Sequence, residues 1–154
     1  MLTLSTIFYI FMTRALITDQ FYLDLTHIFF DLKSQIVSAG LAHDLAGMQA
    51  LTLLRLNDLS PQSMKDLCNL LHCDASNVTG IIDGLEQKGL VERRSDPRDR
   101  RVKTLHILPA GKQLQQQILS QLVHDSKTFL GPLSDEQTQQ LAAIIQTLTA
   151  NRTT

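Results

Sequence analysis

The stretch Ser63-Met64-Lys65-Asp66-Leu67-Cys68-Asn69-Leu70-Leu71-His72-Cys73-Asp74-Ala75-Ser76-Asn77-Val78-Thr79-Gly80-Ile81-Ile82-Asp83-Gly84-Leu85-Glu86-Gln87-Lys88-Gly89-Leu90 contains two short helical patterns back to back. Met64, Leu67, Cys68 and Leu71 fall at i, i+3, i+4 and i+7, a single apolar face about two turns long, and Ser63 is placed to cap it. This helix is expected to end near His72. After a short turn Asp74 can cap a second helix whose apolar face, Val78, Ile81, Ile82 and Leu85, repeats the same spacing. Gly89 suits a left-handed C-terminal cap, with Leu90 making the hydrophobic contact that follows such caps. Two short amphipathic helices joined by so short a turn form a helix-turn-helix.

Beyond Gly89 the period changes. Leu90 to Arg94 and Val102 to Leu108 alternate Val, Leu and Ile with charged residues, as two short strands do, around the turn-prone Ser95-Asp96-Pro97-Arg98-Asp99-Arg100-Arg101. Lys88, Arg93, Arg94, Arg98, Arg100, Arg101 and Lys103 are seven of the chain's fourteen basic residues, opposed there by only Glu92, Asp96 and Asp99. A basic hairpin tip directly after a helix-turn-helix is a wing, so residues 60 to 108 read as a winged helix-turn-helix.

The flanks read as helices. From Leu2 to about Val37 there is no Pro or Gly, and Phe21, Leu25, Ile28, Phe29, Leu32 and Ile36 recur mainly three and four apart. Gly40 is the expected cap of that helix, and a second helix is expected from about Ala42 to Leu56, broken by Ser60-Pro61. Pro109 fits the first turn of a further helix carrying Leu114, Ile118 and Leu122, which Gly131-Pro132 stops. Ser134-Asp135-Glu136-Gln137 reads as a capping box before a stripe of Leu141, Ile144, Ile145 and Leu148. The Gln-rich runs 113 to 117 and 137 to 140 are expected to face solvent.

With 154 residues, 44% hydrophobic and 19% charged, the chain has room for one domain or two small lobes sharing a core. The net charge of -1 would oppose nucleic-acid binding if charge were spread evenly, but half of the basic residues are clustered. Cys68 and Cys73 are the only cysteines, and a structural disulfide is not expected. The apolar run Leu2 to Ile17 lacks a positive leading region and is interrupted by Thr3, Ser5, Thr6, Thr13 and Arg14; it reads as a buried helix rather than a signal peptide or a membrane span. The expectation is a cytoplasmic, mainly α protein of α+β winged-helix type. Its DNA-binding lobe would be residues 41–109, and its helical lobe residues 1–40 with 110–154.

The residue types fit double-stranded DNA. On the helix after Asp74 the outer face near the N-terminus carries Ser76, Asn77, Thr79 and Gly80, small or hydrogen-bonding groups suited to a major groove about 12 Å wide. Asn77 can pair with adenine, and Ser76 or Thr79 can meet phosphate or a thymine methyl, although first-turn capping is the other use of Ser76 and Asn77. In the wing Arg98, Arg100 and Arg101 suit a narrow, electronegative minor groove, with Asp99 able to hold one of them. Arg93 and Arg94, at the strand base, are expected on backbone phosphate, where contacts fix position without reading sequence.

The residues from Asp74 to Arg93, followed by Asp96-Pro97-Arg98-Asp99-Arg100-Arg101 and Leu108-Pro109-Ala110-Gly111, resemble the MarR family of bacterial winged-helix regulators. The family pattern is S-x-V-T-x-x-(I/V)-D-x-L-E-x-x-G-L-(V/I)-x-R, then D-x-R-D-x-R, then L-T-x-x-G. The resemblance implies a homodimer in which the first helix and the last two interlock, each subunit offering one winged helix-turn-helix to a palindromic operator. It implies repression, and release from DNA by a small phenolic or otherwise amphipathic ligand between the lobes. Gly80 and Gly84 depart from it, standing where many relatives have larger, often basic residues. Pro109 replaces the usual Thr.

Other classes have less behind them. No nucleophile, base and orienting group can be assembled, so no enzyme, cofactor or metal centre is expected. His27, His43, His72, His106 and His124 lack ligand spacing, and redox sensing would rest on Cys73 in the turn. The principal alternative is a winged-helix module that binds protein without specific DNA binding.

Overall fold

The computed structural model describes residues 18–57 and 60–150. In chain order the elements are α1 (Asp19–Leu41), α2 (Gly47–Arg55), β1 (Gln62–Ser63), α3 (Met64–Leu71), α4 (Ala75–Gln87), β2 (Val91–Ser95), β3 (Lys103–Ile107), α5 (Pro109–Leu130) and α6 (Asp135–Ala150). The fold is mainly helical, with one small antiparallel sheet in the order β1-β3-β2. The expected helix over Leu2–Ile17 lies outside the described residues.

Capping chemistry sets the central helices. Ser63 and Asp66 form a reciprocal box at the start of α3: the Ser63 hydroxyl accepts from the Asp66 N–H at 3.2 Å, and the Asp66 carboxylate accepts from the Ser63 N–H at 2.8 Å. The Ser63 hydroxyl also donates to Asp66 Oδ2 at 2.7 Å, and this bond, followed by that of the Ser63 N–H, holds the Asp66 carboxyl below its usual pKa. His72 ends α3 in the left-handed region, at φ 50°. Gly89 ends the α4 segment at φ +66°, and Leu90 behind it is buried. Pro109 occupies the first turn of α5 and Ser134 pairs with Gln137 at the start of α6, both as the sequence implies.

One core gathers Leu45, Ala50, Leu53, Leu67, Val78, Ile82, Leu85, Val91, Leu105 and Ile118, each at most 1% exposed. It is drawn from α2, α3, α4, the sheet, the first half of α5 and the turn before α2, with Ile36 and Ala39 of α1 packed into it, so the core of the winged helix is buried within one chain. Gly111, of the Leu-Pro-Ala-Gly motif, lets α5 start hard against this unit. A Cβ there would collide with the Leu90 carbonyl oxygen and lie 2.9 Å from Ile107 Cγ1.

Three expectations need correction. Gly40 is not a cap: it lies within α1, which runs to Leu41, and a Cβ on it would sit 2.5 Å from that of Ala50, so it serves the crossing of α1 over α2. The second helix begins at Gly47 rather than Ala42, because residues 42–44 form a turn in which Asp44 has φ 57°. Gln115 does not face solvent. Its Nε2 donates to the Leu53 carbonyl at 2.8 Å and the Leu56 carbonyl at 3.1 Å, satisfying orphan acceptors at the end of α2. Strand β1 was also not foreseen, since two residues leave no period to read.

Candidate nucleic-acid interface

Helix α4 and the β2–β3 hairpin form one side of the winged helix. The start of α4 is built on Asp74, whose carboxylate accepts from the Ser76 hydroxyl at 2.7 Å, the Asn77 backbone N–H at 2.8 Å and Asn77 Nδ2 at 2.9 Å. The Ser76 bond, followed by the others, holds the Asp74 carboxyl below its usual pKa. Thr79 Oγ1 donates to the Ala75 carbonyl at 2.7 Å. Ser76, Asn77, Thr79 and Gly80 are therefore together on the exposed outer face, with the three polar side chains turned back onto their own helix. Ser76 and Asn77 serve the cap; contact with a base would require them to exchange these partners.

The two glycines of α4 have different surroundings. Nothing lies within 4 Å of a Cβ built on Gly80, which faces open space. One built on Gly84 would run into Gln49 Nε2, and the Gln49 Oε1 accepts from the Ala46 N–H at 3.1 Å at the start of α2. Gly84 thus faces α2, and only Gly80 leaves a gap on the outer surface.

The hairpin is in full register from Val91 opposite Ile107 to Ser95 opposite Lys103. Its tip is shaped by two aspartates. Asp96 Oδ1 accepts from the Arg98 N–H at 2.7 Å and Asp99 Oδ1 from the Arg101 N–H at 3.0 Å, Asx turns that order a loop otherwise made of bulky cations. Arg98, Arg100 and Arg101 are exposed at the tip. Arg101 Nε lies 3.4 Å from Asp99 Oδ1, a single contact rather than a bidentate pair, on a side chain that is 94% exposed.

At the strand base the arginines differ. Arg94 is exposed and pairs with Glu92. Arg93 turns inward: its guanidinium lies 2.7 Å from Asp83 Oδ1 and bonds Glu86, both on α4, and Nη2 donates to the Thr79 carbonyl at 3.4 Å. Sequence spacing did not reveal this, because ten residues and a change of secondary structure separate Asp83 from Arg93. The other end of α4 is tied by Lys88 to Asp44, whose carboxyl is held below its usual pKa by that hydrogen bond and the lysine charge.

Residues 48–103 match the model of the MarR family. The central winged helix is similar to that of the MarR family. Among curated relatives, the HTH-type transcriptional regulator YsmB of Bacillus subtilis is 29% identical over 82 residues, covering 53% of this chain and 56% of YsmB. The chain thus spans about half the length of the curated relatives it matches. A variant of MepR from S. aureus superposes with a TM-score of 0.71 at 22% identity, covering 88% of this chain and 98% of MepR. A MarR family regulator of Listeria monocytogenes, solved with a 26mer DNA, superposes with a TM-score of 0.69 at 20% identity over 84% of this chain and 87% of its own. At these identities the likeness establishes the MarR fold.

Among the described residues no group of three or more His, Cys, Asp or Glu is arranged to hold a metal ion, and no helix is long and apolar enough to cross a membrane.

Proposed function

We propose that this chain is a transcription regulator of the MarR family that binds double-stranded DNA, with α4 in a major groove and the wing in the neighbouring minor groove. The observation that carries this reading is the juxtaposition of an exposed α4 N-terminal half with a hairpin whose Asx-ordered tip holds Arg98, Arg100 and Arg101 in solvent. A helix of this exposure fits the wider groove, and arginine suits the narrower, more negative one. Ser76, Asn77 and Thr79 are the residues for base edges or phosphate, and Gly80 allows close approach; Arg94, with the wing arginines and Asp99, completes the contact surface.

The protein acts as a homodimer on a palindromic operator, where it represses. The dimer is supported by the terminal helices: Tyr22, Leu23, Phe29 and Phe30 on α1 and Ile144, Ile145 and Leu148 on α6 are exposed, more apolar surface than a monomer leaves open. Release by a small amphipathic ligand, in the cytoplasm where operator DNA resides, completes the reading.

Duplex DNA binding as a function of salt tests it. Affinity is expected to fall steeply between about 50 and 200 mM salt as counterions are displaced by the arginines. Failure to bind any duplex from a genomic pool at low salt would discard it. The second reading, a protein-binding winged helix, is favoured by the charge of α4, which carries Asp83 and Glu86 and no basic residue between Ala75 and Gln87. It would then take the place of the first.

A further inference from the structure

Arg93 has the composition of a phosphate contact and the geometry of something else. It is one of the least exposed basic side chains of the wing region, at 24%. Glu86 holds it twice, through the backbone N–H of Arg93 to Oε1 at 2.7 Å and through guanidinium Nη1, while Asp83 meets the same Nη1 and the Thr79 carbonyl accepts from Nη2. Three successive turns of α4, at Thr79, Asp83 and Glu86, are thereby tied to the middle of β2.

We infer that Arg93 is a positioning residue: it locks the wing to the recognition helix at one angle, so that the two elements are presented to neighbouring grooves as a rigid unit. This rests on the DNA-binding reading above. The physical case is that β2 is the outer strand, joined to α4 by the left-handed turn at Gly89 and the packing of Val91, while β1 pins β3 only as far as Thr104, so the hairpin beyond that pair is held by its own ladder alone. Two elements that must enter two grooves at once bind best when their separation is already set, since any looseness must be removed on binding. The same guanidinium neutralises two carboxylates that would otherwise repel the phosphates beside α4.

The clamp and a phosphate contact predict opposite results for one substitution. If Arg93 acts through Glu86, Arg93→Gln and Glu86→Ala both weaken operator binding by about tenfold, and the double variant is no worse than either alone. The slope of log affinity against log salt stays at the wild-type value in both, because no phosphate contact is lost. Glu86→Gln, which keeps a neutral acceptor for the Arg93 N–H, falls between. If Arg93 instead contacts DNA, Arg93→Gln lowers the slope by about 0.9, and Glu86→Ala, which frees the arginine and removes a negative charge, tightens binding. Either of those two results overturns the inference.

Amide hydrogen exchange of the free protein separates failure of the clamp from failure of the DNA reading. The Asp96 and Val102 amides, bonded to Val102 and Asp99 carbonyls at the wing tip, are expected to exchange faster in both single variants than in the wild type. Unchanged exchange rejects the clamp even if the wild-type protein binds DNA. Faster exchange in a protein that binds no duplex retains the clamp and rejects only the DNA reading.

Discussion

The winged helix and the terminal helices are built from similar apolar residues and use them in opposite ways. Leu53, Leu67, Ile82 and Leu85 are wholly buried, whereas Phe29, Phe30, Ile144 and Leu148 on α1 and α6 are half exposed or more, and α6 buries none of its residues. Burying a large apolar side chain is worth about 1.5–3 kcal/mol, so the first set is satisfied within one chain and the second leaves that stabilisation open to another surface. Stability of the winged helix is therefore a property of the monomer. On the proposed dimer, the exposed faces of the terminal helices would be covered only in the assembly. An open apolar cavity of about 400 Å³ beside Ile28, Leu130, Leu141 and Ile144 belongs to the second region rather than to a cleft between the lobes.

Core truncation should separate the two regions most sharply. Leu67→Ala is expected to cost about 3 kcal/mol, through lost transfer energy and an unfilled cavity, and thermal unfolding will show it at any protein concentration. Gly111→Ala follows, at about 2 kcal/mol, because the added methyl meets the Leu90 carbonyl oxygen, which belongs to the backbone and has little room to move. If either variant unfolds like the wild type, the winged helix does not rest on the core described.

The terminal helices should respond to concentration instead. Ile144→Glu places a charge on the apolar stripe of α6 and is expected to weaken self-association about tenfold, with little change in the unfolding of the isolated subunit. Sedimentation over a range of protein concentrations measures this. An unchanged distribution between monomer and dimer would mean that the exposed stripe is covered by something other than a second copy.

A smaller effect is expected at the caps within the winged helix. The folded-state pKa of Asp74 lies below its unfolded value, so its contribution is complete above the ordinary carboxylate range and is lost as pH falls through the depressed folded value. Asp74→Ala should lower Tm by a few degrees at neutral pH and make the acid limb of a stability profile shallower. An acid limb unchanged from the wild type would show that the cap contributes no pH-dependent stability.

What was legible in the chain followed from local chemistry. Ser63, Asp74, Gly89 and Ser134 each act within four residues of themselves, and all four fill the roles their spacing implied. Pairings between residues distant in sequence were not legible in this way. Gly40 answers to Ala50 and Gln115 to the end of α2, and the Arg93 guanidinium meets Asp83 and Glu86 on another element. Nothing in a run of neighbouring residues encodes such pairings. The residues expected at the site are brought to one side of the winged helix, but Arg101 with Asp99 and Arg93 with α4 were distinguishable only once the hairpin was in place.

The smallest expected effects come from the two glycines of α4, and they restate the contrast between inner and outer surfaces on a single helix. Gly80→Ala adds a methyl to open space and gains helix propensity, so it should stabilise the protein by about 0.5–1 kcal/mol. Gly84→Ala gains the same propensity but pushes Gln49 away, and with it the bond that Gln49 makes to the Ala46 N–H at the start of α2. Losing that cap costs about as much as the alanine gains, so the net change should lie near zero. Comparing the two variants by chemical denaturation isolates the cost of displacing Gln49, since intrinsic propensity cancels between them. Equal stabilisation by both would show that Gln49 relocates freely, and that α2 and α4 are joined by their apolar faces alone.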